Sequence, residues 1–260
     1  MIRNVVCLTV FLVVISCALP LPAQQAQAGI ITCNFIFTSG ANNTYLRYCV
    51  SGYGNILTIQ TPFGHVHIGG GGEGYGLCQE SPAVEYHNYG IDDTGNWASP
   101  VVSSTSTSVK IVRSTLDGNW TLTQTITQAA KTSSITIVMA LTNHQAVGKV
   151  AYLLRYAGVE ADGQAANTLG ATHNGAFAWS MSPANTIPPF YGLQLQNVGT
   201  PPFGFWQGYA QTVPTGPNAC AFAFNDSGGY FLGTGSLVMA YVGAVPAHGT
   251  KTITLTYRGL

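Results

Sequence analysis

The sequence predicts an all-β protein, an antiparallel β-sandwich with long loops rich in Gly, Pro and aromatic residues. Short apolar segments recur along the whole chain between turn signals, a spacing typical of sandwiches and barrels. In residues 120–127, apolar and Thr side chains alternate with period two, as in a strand with one buried and one wet face. No window of ten or more residues has the 3.6-residue period of an amphipathic helix. We therefore expect one sandwich domain over residues 29–260.

Strand signals follow one another from the first hairpin to the end of the chain. A Gly-Ala-Asn-Asn turn at residues 40–43 separates the first two strands, and Asp117-Gly118 precedes the clearest one. The predicted strands are residues 30–39, 44–50, 56–60, 66–68, 84–89, 109–114, 120–127, 134–142, 150–156, 219–224, 237–242 and 250–257. Residues 69–100 and 157–210 break this rhythm, and we expect long loops there, which are often functional.

The N-terminal residues predict export. Arg3 precedes an apolar segment, residues 5–16, which is too short to span a bilayer comfortably and is typical of a secretory signal. Ala26-Gln27-Ala28 offers a cleavage site between small residues, so residues 1–28 would be a signal peptide. No later segment is long and apolar enough for a transmembrane helix. We therefore expect a secreted or cell-surface protein.

A second interpretation of the same residues is a lipid anchor. Val14-Ile15-Ser16-Cys17 resembles a bacterial lipobox. In that case the lipoprotein signal ends at Ser16, and Cys17 carries the lipid and becomes the new N-terminus. Residues 18–28, rich in Pro, Gln and Ala, would then form a tether between the membrane and the domain.

Charge is scarce in this chain. Asp, Glu, Lys and Arg make up 7% of the residues, against about 25% in ordinary soluble domains. The formal net charge is zero and no basic cluster is present, which argues against a nucleic-acid partner. Solubility must come from Thr, Ser, Asn, Gln and Gly. A neutral, hydrogen-bonding surface suits glycans, cell-surface polymers or copies of the same chain.

Four cysteines follow the predicted signal peptide: Cys33, Cys49, Cys78 and Cys220. An even number in an exported chain predicts two disulfides, and four cysteines allow three pairings. Cys33 and Cys49 lie on either side of one hairpin turn, where a bridge tends to be strained. We therefore favour Cys49 with Cys78 and Cys33 with Cys220, and leave the other pairings open.

An acidic segment is the first candidate binding site. Five of the nine acidic residues lie between positions 73 and 93. Glu85 and His87 are two residues apart on a predicted strand, so they share one face. We expect no cofactor, although Asp92-Asp93-Thr-Gly-Asn offers oxygen ligands that could hold Ca²⁺. The candidate ligand-binding residues here are Glu73, Glu85, His87, Asp92, Asp93 and Trp97. The alternative is a solvated loop with Asx turns.

His65 and His67 form a second candidate. Two residues apart in a strand, both imidazoles would point the same way and could chelate Zn²⁺ or Cu²⁺ with Glu73 or His87. The alternative is that both histidines are hydrogen-bonded to their neighbours. The glycine run at residues 69–72 is not a phosphate-binding loop, because no Lys-Ser or Lys-Thr and no helix follow it.

Residues 120–156 resemble a segment of exported bacterial proteins of unknown function. The matching residues are Trp120, Gln124, Thr125, Thr142, Asn143, Arg155 and Tyr156, with a looser likeness over residues 44–97. In those proteins an Asp-x-Asp-x-Asp turn follows Arg-Tyr, so the resemblance implies a cation site. Here Glu160 and Asp162 are the remaining ligands, because Gly158 stands at the first acidic position. Alternatively, Arg155 pairs with Glu160 or Asp162 and stabilises the turn.

The aromatic residues of 188–209 form a further candidate, in which Trp206 and Tyr209 would stack on sugar rings. The alternative is that these rings plug one end of the sandwich. The alternating strands and Thr142-Asn143 also look like the supersandwich of aldose epimerases. That family uses two histidines and a late glutamate as its base, whereas this chain has no glutamate after Glu160. The likeness therefore concerns architecture alone.

Three functions are compatible with these observations. We expect an exported, non-catalytic protein that binds a glycan or a surface polymer. The first alternative is a carbohydrate-active enzyme that uses Glu73, Glu85 and His87, with Arg155 binding the substrate. The second is a structural protein that assembles through its edge strands. The oligomeric state is open.

Overall fold

Strands make up most of the domain in the computed structural model, which describes residues 32–90, 92–129, 132–181, 186–212, 215–222 and 230–260. No α-helix occurs among these residues, which confirms the all-β prediction. The strands are β1 (Cys33–Ser39), β2 (Leu46–Ser51), β3 (Ile56–Gln60), β4 (Ile68–Gln79), β5 (Val84–Tyr89), β6 (Asp92–Gly95), β7 (Val101–Ser104), β8 (Ser108–Ser114), β9 (Trp120–Gln128), β10 (Ser134–Asn143), β11 (Lys149–Val159), β12 (Asn167–Thr172), β13 (Gly175–Trp179), β14 (Gly192–Asn197), β15 (Phe205–Gln211), β16 (Phe231–Gly233), β17 (Gly235–Val245) and β18 (Thr250–Gly259). Two short 3-10 turns, Asn42–Thr44 and Ala161–Gly163, complete the elements.

Two large antiparallel sheets form the sandwich. The nine-stranded sheet has the order β16-β12-β13-β14-β18-β10-β9-β8-β7, and the six-stranded sheet has the order β15-β17-β11-β4-β5-β6. A third sheet, β1-β2-β3, contributes to the same core. The period-two pattern of β9 is confirmed, because Trp120, Leu122 and Ile126 are fully buried while the Thr residues between them are partly exposed.

The predicted long loops contain strands. Residues 69–100 include most of β4, together with β5 and β6, and residues 157–210 include β12 to β15. Glycine is needed in β4 because the strands approach closely there. A Cβ on Gly74 would lie 2.0 Å from the Asn88 carbonyl oxygen, and a Cβ on Gly76 would lie 2.4 Å from the Tyr89 hydroxyl. Gly74 and Gly76, which indicate a loop in the sequence, therefore allow β4 to lie close to its neighbours as a strand.

One predicted strand is wrong in its described part. Residues 219–221 form a turn and residue 222 is irregular, while residues 223 and 224 lie outside the described residues. The Asn218 side chain accepts the backbone N–H groups of Cys220 (2.8 Å) and Ala221 (2.9 Å). Those donors are therefore used in an Asx-type turn and do not join a sheet.

The favoured disulfide pairing is also wrong. Cys33 bonds Cys49 and joins β1 to β2, with the two Cα atoms 5.7 Å apart. Cys78 bonds Cys220, with Cα atoms 5.0 Å apart. The register places Cys33 opposite Ser51, and a bulge follows Cys33. The hairpin cysteines are therefore diagonal neighbours, a geometry that a bridge can span.

The N-terminal predictions lie outside the described residues. These predictions are the signal peptide of residues 1–28, both cleavage sites and the lipid anchor at Cys17. Within the described part of the chain, no helix has the length and apolar character needed to cross a membrane. The two disulfides are compatible with an extracellular protein.

Candidate functional site

The sandwich interior holds a buried ion pair between Arg155 of β11 and Glu73 of β4. Glu73 also accepts hydrogen bonds from the Tyr257 hydroxyl (2.9 Å) and the Ile56 backbone N–H (2.7 Å). Arg155 donates to the side chain of Gln124 on β9. Because Glu73 and Arg155 belong to the six-stranded sheet, and Tyr257 and Gln124 to the nine-stranded sheet, this cluster connects the two sheets.

The buried cluster is closed to a ligand. Glu73 and Arg155 have no exposed surface. Burial raises the pKa of the Glu73 carboxyl, while the charge of Arg155 and the donated hydrogen bonds oppose that rise. Burial also raises the pKa of Tyr257 well above its ordinary value, so its hydroxyl stays protonated and can donate. Arg155 therefore pairs with Glu73, and the expectation of a pair with Glu160 or Asp162 is wrong.

The residues that carry the resemblance to exported bacterial proteins have structural partners. The Trp120 indole N–H donates to the Gln79 side-chain oxygen at 3.2 Å. The Asn143 amide donates to the carbonyls of Val147 (2.9 Å) and Pro246 (3.1 Å) and so joins two turns. Buried polar groups with such partners specify how strands and turns meet. Trp120 and Asn143 therefore have structural roles in this sandwich, and the relationship to exported bacterial proteins stays a prediction.

Glu85 and His87 share the outer face of the six-stranded sheet, with Glu85 Oε2 3.7 Å from His87 Nδ1. The Glu85 carboxylate also accepts the Asn218 side-chain amide (2.8 Å) and the Ala219 backbone N–H (2.9 Å). Both donors belong to residues 215–222, which we call the strap. Glu85 therefore anchors the strap to the sheet.

The strap covers aromatic side chains. The Tyr89 hydroxyl donates to the Pro217 carbonyl at 2.5 Å, and the disulfide of Cys78 holds the strap covalently. A Cβ on Gly216 would lie 2.5 Å from the Tyr89 ring and 2.7 Å from the Tyr156 ring. The strap backbone therefore packs directly on these rings, and Tyr156 is 1% exposed.

His65 and His67 meet at the turn that contains Asp162. His65 Nδ1 is 2.6 Å from the Asp162 carboxylate. His67 Nδ1 accepts the Asp162 backbone N–H at 3.3 Å, and His67 Nε2 contacts the Thr61 carbonyl oxygen at 2.5 Å. These partners fix the neutral tautomer of His67 with its proton on Nε2. Burial lowers the pKa of His67 and also favours this neutral form.

The predicted metal ligands are therefore engaged in protein contacts. Both ring nitrogens of His67 have partners, and a Cβ on Gly69 would lie 2.3 Å from Cγ of Glu160. Among the described residues, no three His, Cys, Asp or Glu side chains are grouped so as to hold a metal ion. A metal site built on His65, His67, Glu160 and Asp162 stays a prediction.

The acidic segment divides into two parts. Asp92 and Asp93 begin β6, and their side chains lie outside the described residues, so the Ca²⁺ site also stays a prediction. Trp97 is 1% exposed and packs edge-on against the Tyr75 ring, with the Arg113 guanidinium 5.8 Å from its ring centre. Trp97 therefore belongs to the core.

Trp206 and Tyr209 lie on β15, an edge strand of the six-stranded sheet. Tyr209 is 4% exposed and meets the Phe222 ring edge-on at 4.7 Å. Trp206 packs against the core, and its indole N–H donates to the Asn174 side chain at 3.0 Å. Tyr209 therefore fits the alternative reading, in which these rings form a satellite core.

A cleft of about 530 Å³ opens on the outer face of the nine-stranded sheet, across β12, β13 and β14. We call it the aromatic cleft. Tyr230 is 74% exposed and Trp179 is 36% exposed, so large ring surfaces face solvent. The described residues that line it are Phe177, Trp179, Met181, Phe190, Tyr230 and Leu260, with Thr168 and Gln194 as its polar groups.

Local sequence places these rings on the sheet surface. On β13, Ala176 and Ala178 point into the core, so Phe177 and Trp179 point outward. On the neighbouring strand, a Cβ on Gly170 would lie 2.7 Å from the Phe177 ring and 3.0 Å from the Tyr230 ring. The bare backbone of Gly170 therefore allows both rings to lie against the sheet.

A second cleft of about 360 Å³ adjoins the first and shares Phe190 and Leu260 with it. We call it the polar cleft. Its Tyr191 ring stacks on the His65 ring with centres 3.6 Å apart, and His65 contacts Asp162. The remaining described residues that line it are Asn43, Thr61, Pro62, Ser133, Pro189 and Gly259.

Sequence reasoning missed the aromatic cleft. Residues 157–210 were expected to form a loop, which hid the alternation in Gly-Ala-Phe-Ala-Trp at residues 175–179. Small residues on one side of a strand and large aromatic residues on the other side are the signal that could have found it. Within the predicted aromatic stretch 188–209, Phe190 and Tyr191 line the clefts, whereas Trp206 and Tyr209 belong to the other sheet.

Comparison with known proteins shows the fold alone. No family model matches the chain, and no curated protein matches it. A bacterial glucoamylase complexed with acarbose is similar over 93% of this chain, with a TM-score of 0.56 and 10% identity. The chain spans about a third of the length of that protein, 34%.

A second similar structure comes from Escherichia coli K12 and is named as an aldose 1-epimerase. It matches 87% of this chain and 99% of its own, with a TM-score of 0.50 and 11% identity. The sandwich thus has the architecture of the aldose-epimerase type, in agreement with the likeness drawn from Thr142-Asn143.

Proposed function

We propose that this chain is an exported, non-catalytic protein that binds a glycan in the aromatic cleft. The observation that carries the proposal is the open ring surface of Trp179, Phe177 and Tyr230, beside the neutral polar side chains of Thr168 and Gln194. Pyranose rings have apolar C–H faces that pack on aromatic rings and hydroxyl edges that need neutral donors and acceptors. The cleft offers both kinds of surface, and its volume is within the range of small-molecule sites.

The chemistry of the cleft supports binding over catalysis. Glycoside hydrolysis ordinarily needs a pair of carboxyl groups at the scissile bond. The described residues that line the aromatic cleft include no Asp, Glu or His. Glu73, the buried partner of Arg155, and Glu85, the anchor of the strap, have structural contacts instead.

The similar structures support the same class of ligand. One is named as a glucoamylase and the other as an aldose 1-epimerase, and both names refer to carbohydrates. The low charge of this chain adds support, because a surface of Thr, Ser, Asn and Gln suits a neutral polymer of hydroxyl groups.

A glycan array tests the proposal, with the exported chain purified oxidised and assayed with and without Ca²⁺. We expect saturable binding that Trp179→Ala reduces at least tenfold, while Trp206→Ala and Phe205→Ala leave it unchanged. Phe205 is a matched control because it is an exposed aromatic residue, 40% exposed, on the other sheet. Absence of binding to every glycan would reject the proposal. Cleavage or epimerisation of a bound sugar would favour the enzyme, and dependence on Ca²⁺ would implicate Asp92 and Asp93.

A further inference from the structure

We infer that the ligand is a neutral glycan chain that runs across Phe190 from the aromatic cleft into the polar cleft. This inference rests on the proposed function and adds the charge and the minimum length of the ligand. Two observations carry it: the two clefts adjoin at Phe190 and Leu260, and none of the described side chains that line them is charged.

The two clefts are neighbours that share two lining residues. Phe190 and Leu260 line both clefts, so a ligand long enough to extend past these side chains would contact both clefts. Leu260 is held there by a pair of backbone hydrogen bonds with Gly192, at 2.9 and 3.2 Å. The aromatic cleft alone is about 530 Å³ and the polar cleft adds about 360 Å³. A single sugar ring would leave one of the two unfilled, whereas a chain would occupy both.

The two clefts differ in what they offer to a sugar. The aromatic cleft presents ring faces to the apolar side of a pyranose. The polar cleft presents the side chains of Asn43, Thr61 and Ser133, which donate to and accept from hydroxyl groups. Its Tyr191 ring is held in place, because it stacks on His65 and His65 is hydrogen-bonded to Asp162. Adjacent units of one chain would therefore meet different contacts.

The absence of charged side chains among the described lining residues favours a neutral glycan. A uronic-acid or sulfated chain carries a charge on many units, and burying a charge without a partner is costly. Arg258 is the register partner of Gln194 and is exposed, but it does not line either cleft. The site therefore matches a chain of hydroxyl or N-acetyl groups.

Calorimetry with length series on the full oxidised chain tests this inference. The probes are cello-oligosaccharides and N-acetylglucosamine oligomers of one to six units, with oligogalacturonates of equal length as the charged comparison. We expect affinity for one neutral series to rise at least tenfold between one unit and the shortest oligomer that crosses Phe190, and then to level off, because the second contact becomes intramolecular.

Two variants distinguish the contributions of the two clefts to binding. Trp179→Ala should weaken every bound length, whereas Asn43→Ala should weaken only the long oligomers by about fivefold to tenfold. Affinity that does not change with length, or an equal effect of Asn43→Ala on all lengths, would overturn the inference and leave the glycan-binding function standing. Preference for the oligogalacturonates, or no binding to either neutral series, would overturn it as well. Only failure on the whole glycan array would reject the function itself.

Discussion

Both large sheets carry aromatic side chains on their outer faces, and the two faces differ in whether the described residues of the chain cover them. On the six-stranded sheet, Tyr156 and Tyr209 are 1% and 4% exposed, and the strap packs over this face. On the nine-stranded sheet, Trp179 and Tyr230 are 36% and 74% exposed beside an open cleft. An aromatic cluster on a sheet surface is therefore a candidate binding site only where, as far as the described residues show, no other segment packs on it.

The largest expected effect comes from releasing the strap. The double variant Cys78→Ser/Cys220→Ser should lower the free energy of unfolding by about 5 kcal/mol, because the bridge spans 142 residues. It should also raise the binding of a hydrophobic dye, since the covered rings become accessible. Urea unfolding and dye fluorescence measure both changes.

The second disulfide provides the matched control for this experiment. Cys33→Ser/Cys49→Ser removes a bridge that spans 16 residues, and its expected cost is smaller, about 3 kcal/mol, without a rise in dye binding. Equal dye binding by the two double variants would show that the strap does not protect the aromatic face.

A crossed pair of aromatic variants tests the comparison directly. Tyr209→Ala should cost about 3 kcal/mol of stability, because it leaves a cavity under the strap, and should not change glycan affinity. Trp179→Ala should weaken glycan binding by about 1.4–3 kcal/mol, the upper part of the range known for nucleobases that stack on aromatic side chains, with little loss of stability. Urea unfolding and calorimetry on both variants measure the two effects. A loss of affinity in Tyr209→Ala without unfolding would place the binding site on the covered face.

Local sequence patterns predicted the strands that have one buried face and one partly exposed face. In β9 and β18, Thr residues alternate with buried apolar residues, and the pattern appears within a few positions. The strand β4 escaped prediction because its glycines carry no pattern. Their reason is the close approach of Asn88 and Tyr89, which only the folded sheet shows.

The aromatic cleft could not be predicted as a unit. Trp179, Tyr230 and Leu260 are far apart in the sequence, and they meet because of the order of β16, β12, β13, β14 and β18. For the acidic residues, the local placement was predicted but the contacts were not. Glu85 and His87 were correctly placed on one face of a strand, but the sequence gives no sign that the strap would occupy Glu85.

The third prediction concerns the loss of stability in acid. It depends on His67, whose ring contacts the carbonyl oxygen of Thr61, a residue that lines the polar cleft. Burial lowers the pKa of His67 below its unfolded value of 6.5. Below pH 6.5 the unfolded chain therefore binds a proton that the folded chain does not bind, and stability falls as the pH falls. The contribution is at most about 1.4 kcal/mol per pH unit, down to the pKa of the folded protein.

The variant His67→Gln keeps a side-chain donor for the Thr61 carbonyl but cannot titrate. Urea unfolding at pH 5, 6 and 7 should therefore give a smaller loss of stability on acidification in His67→Gln than in the unmodified chain. The same pH dependence in both proteins would assign the effect to another group.

The smallest expected effect comes from the carboxylate that anchors the strap. Glu85→Gln retains one acceptor oxygen but turns an amide N–H₂ towards donors that now lack a partner, at a cost of about 1 kcal/mol. Hydrogen exchange at the Ala219 amide should then become about fivefold faster, which corresponds to local opening of the strap. Glu80→Gln is the matched control, because Glu80 is exposed and accepts a long hydrogen bond, 3.4 Å, from Tyr152, and among the described residues it has no hydrogen bond or ion pair with the strap. If both variants speed exchange equally, Glu85 is not the anchor, and the disulfide alone distinguishes the covered face from the open one.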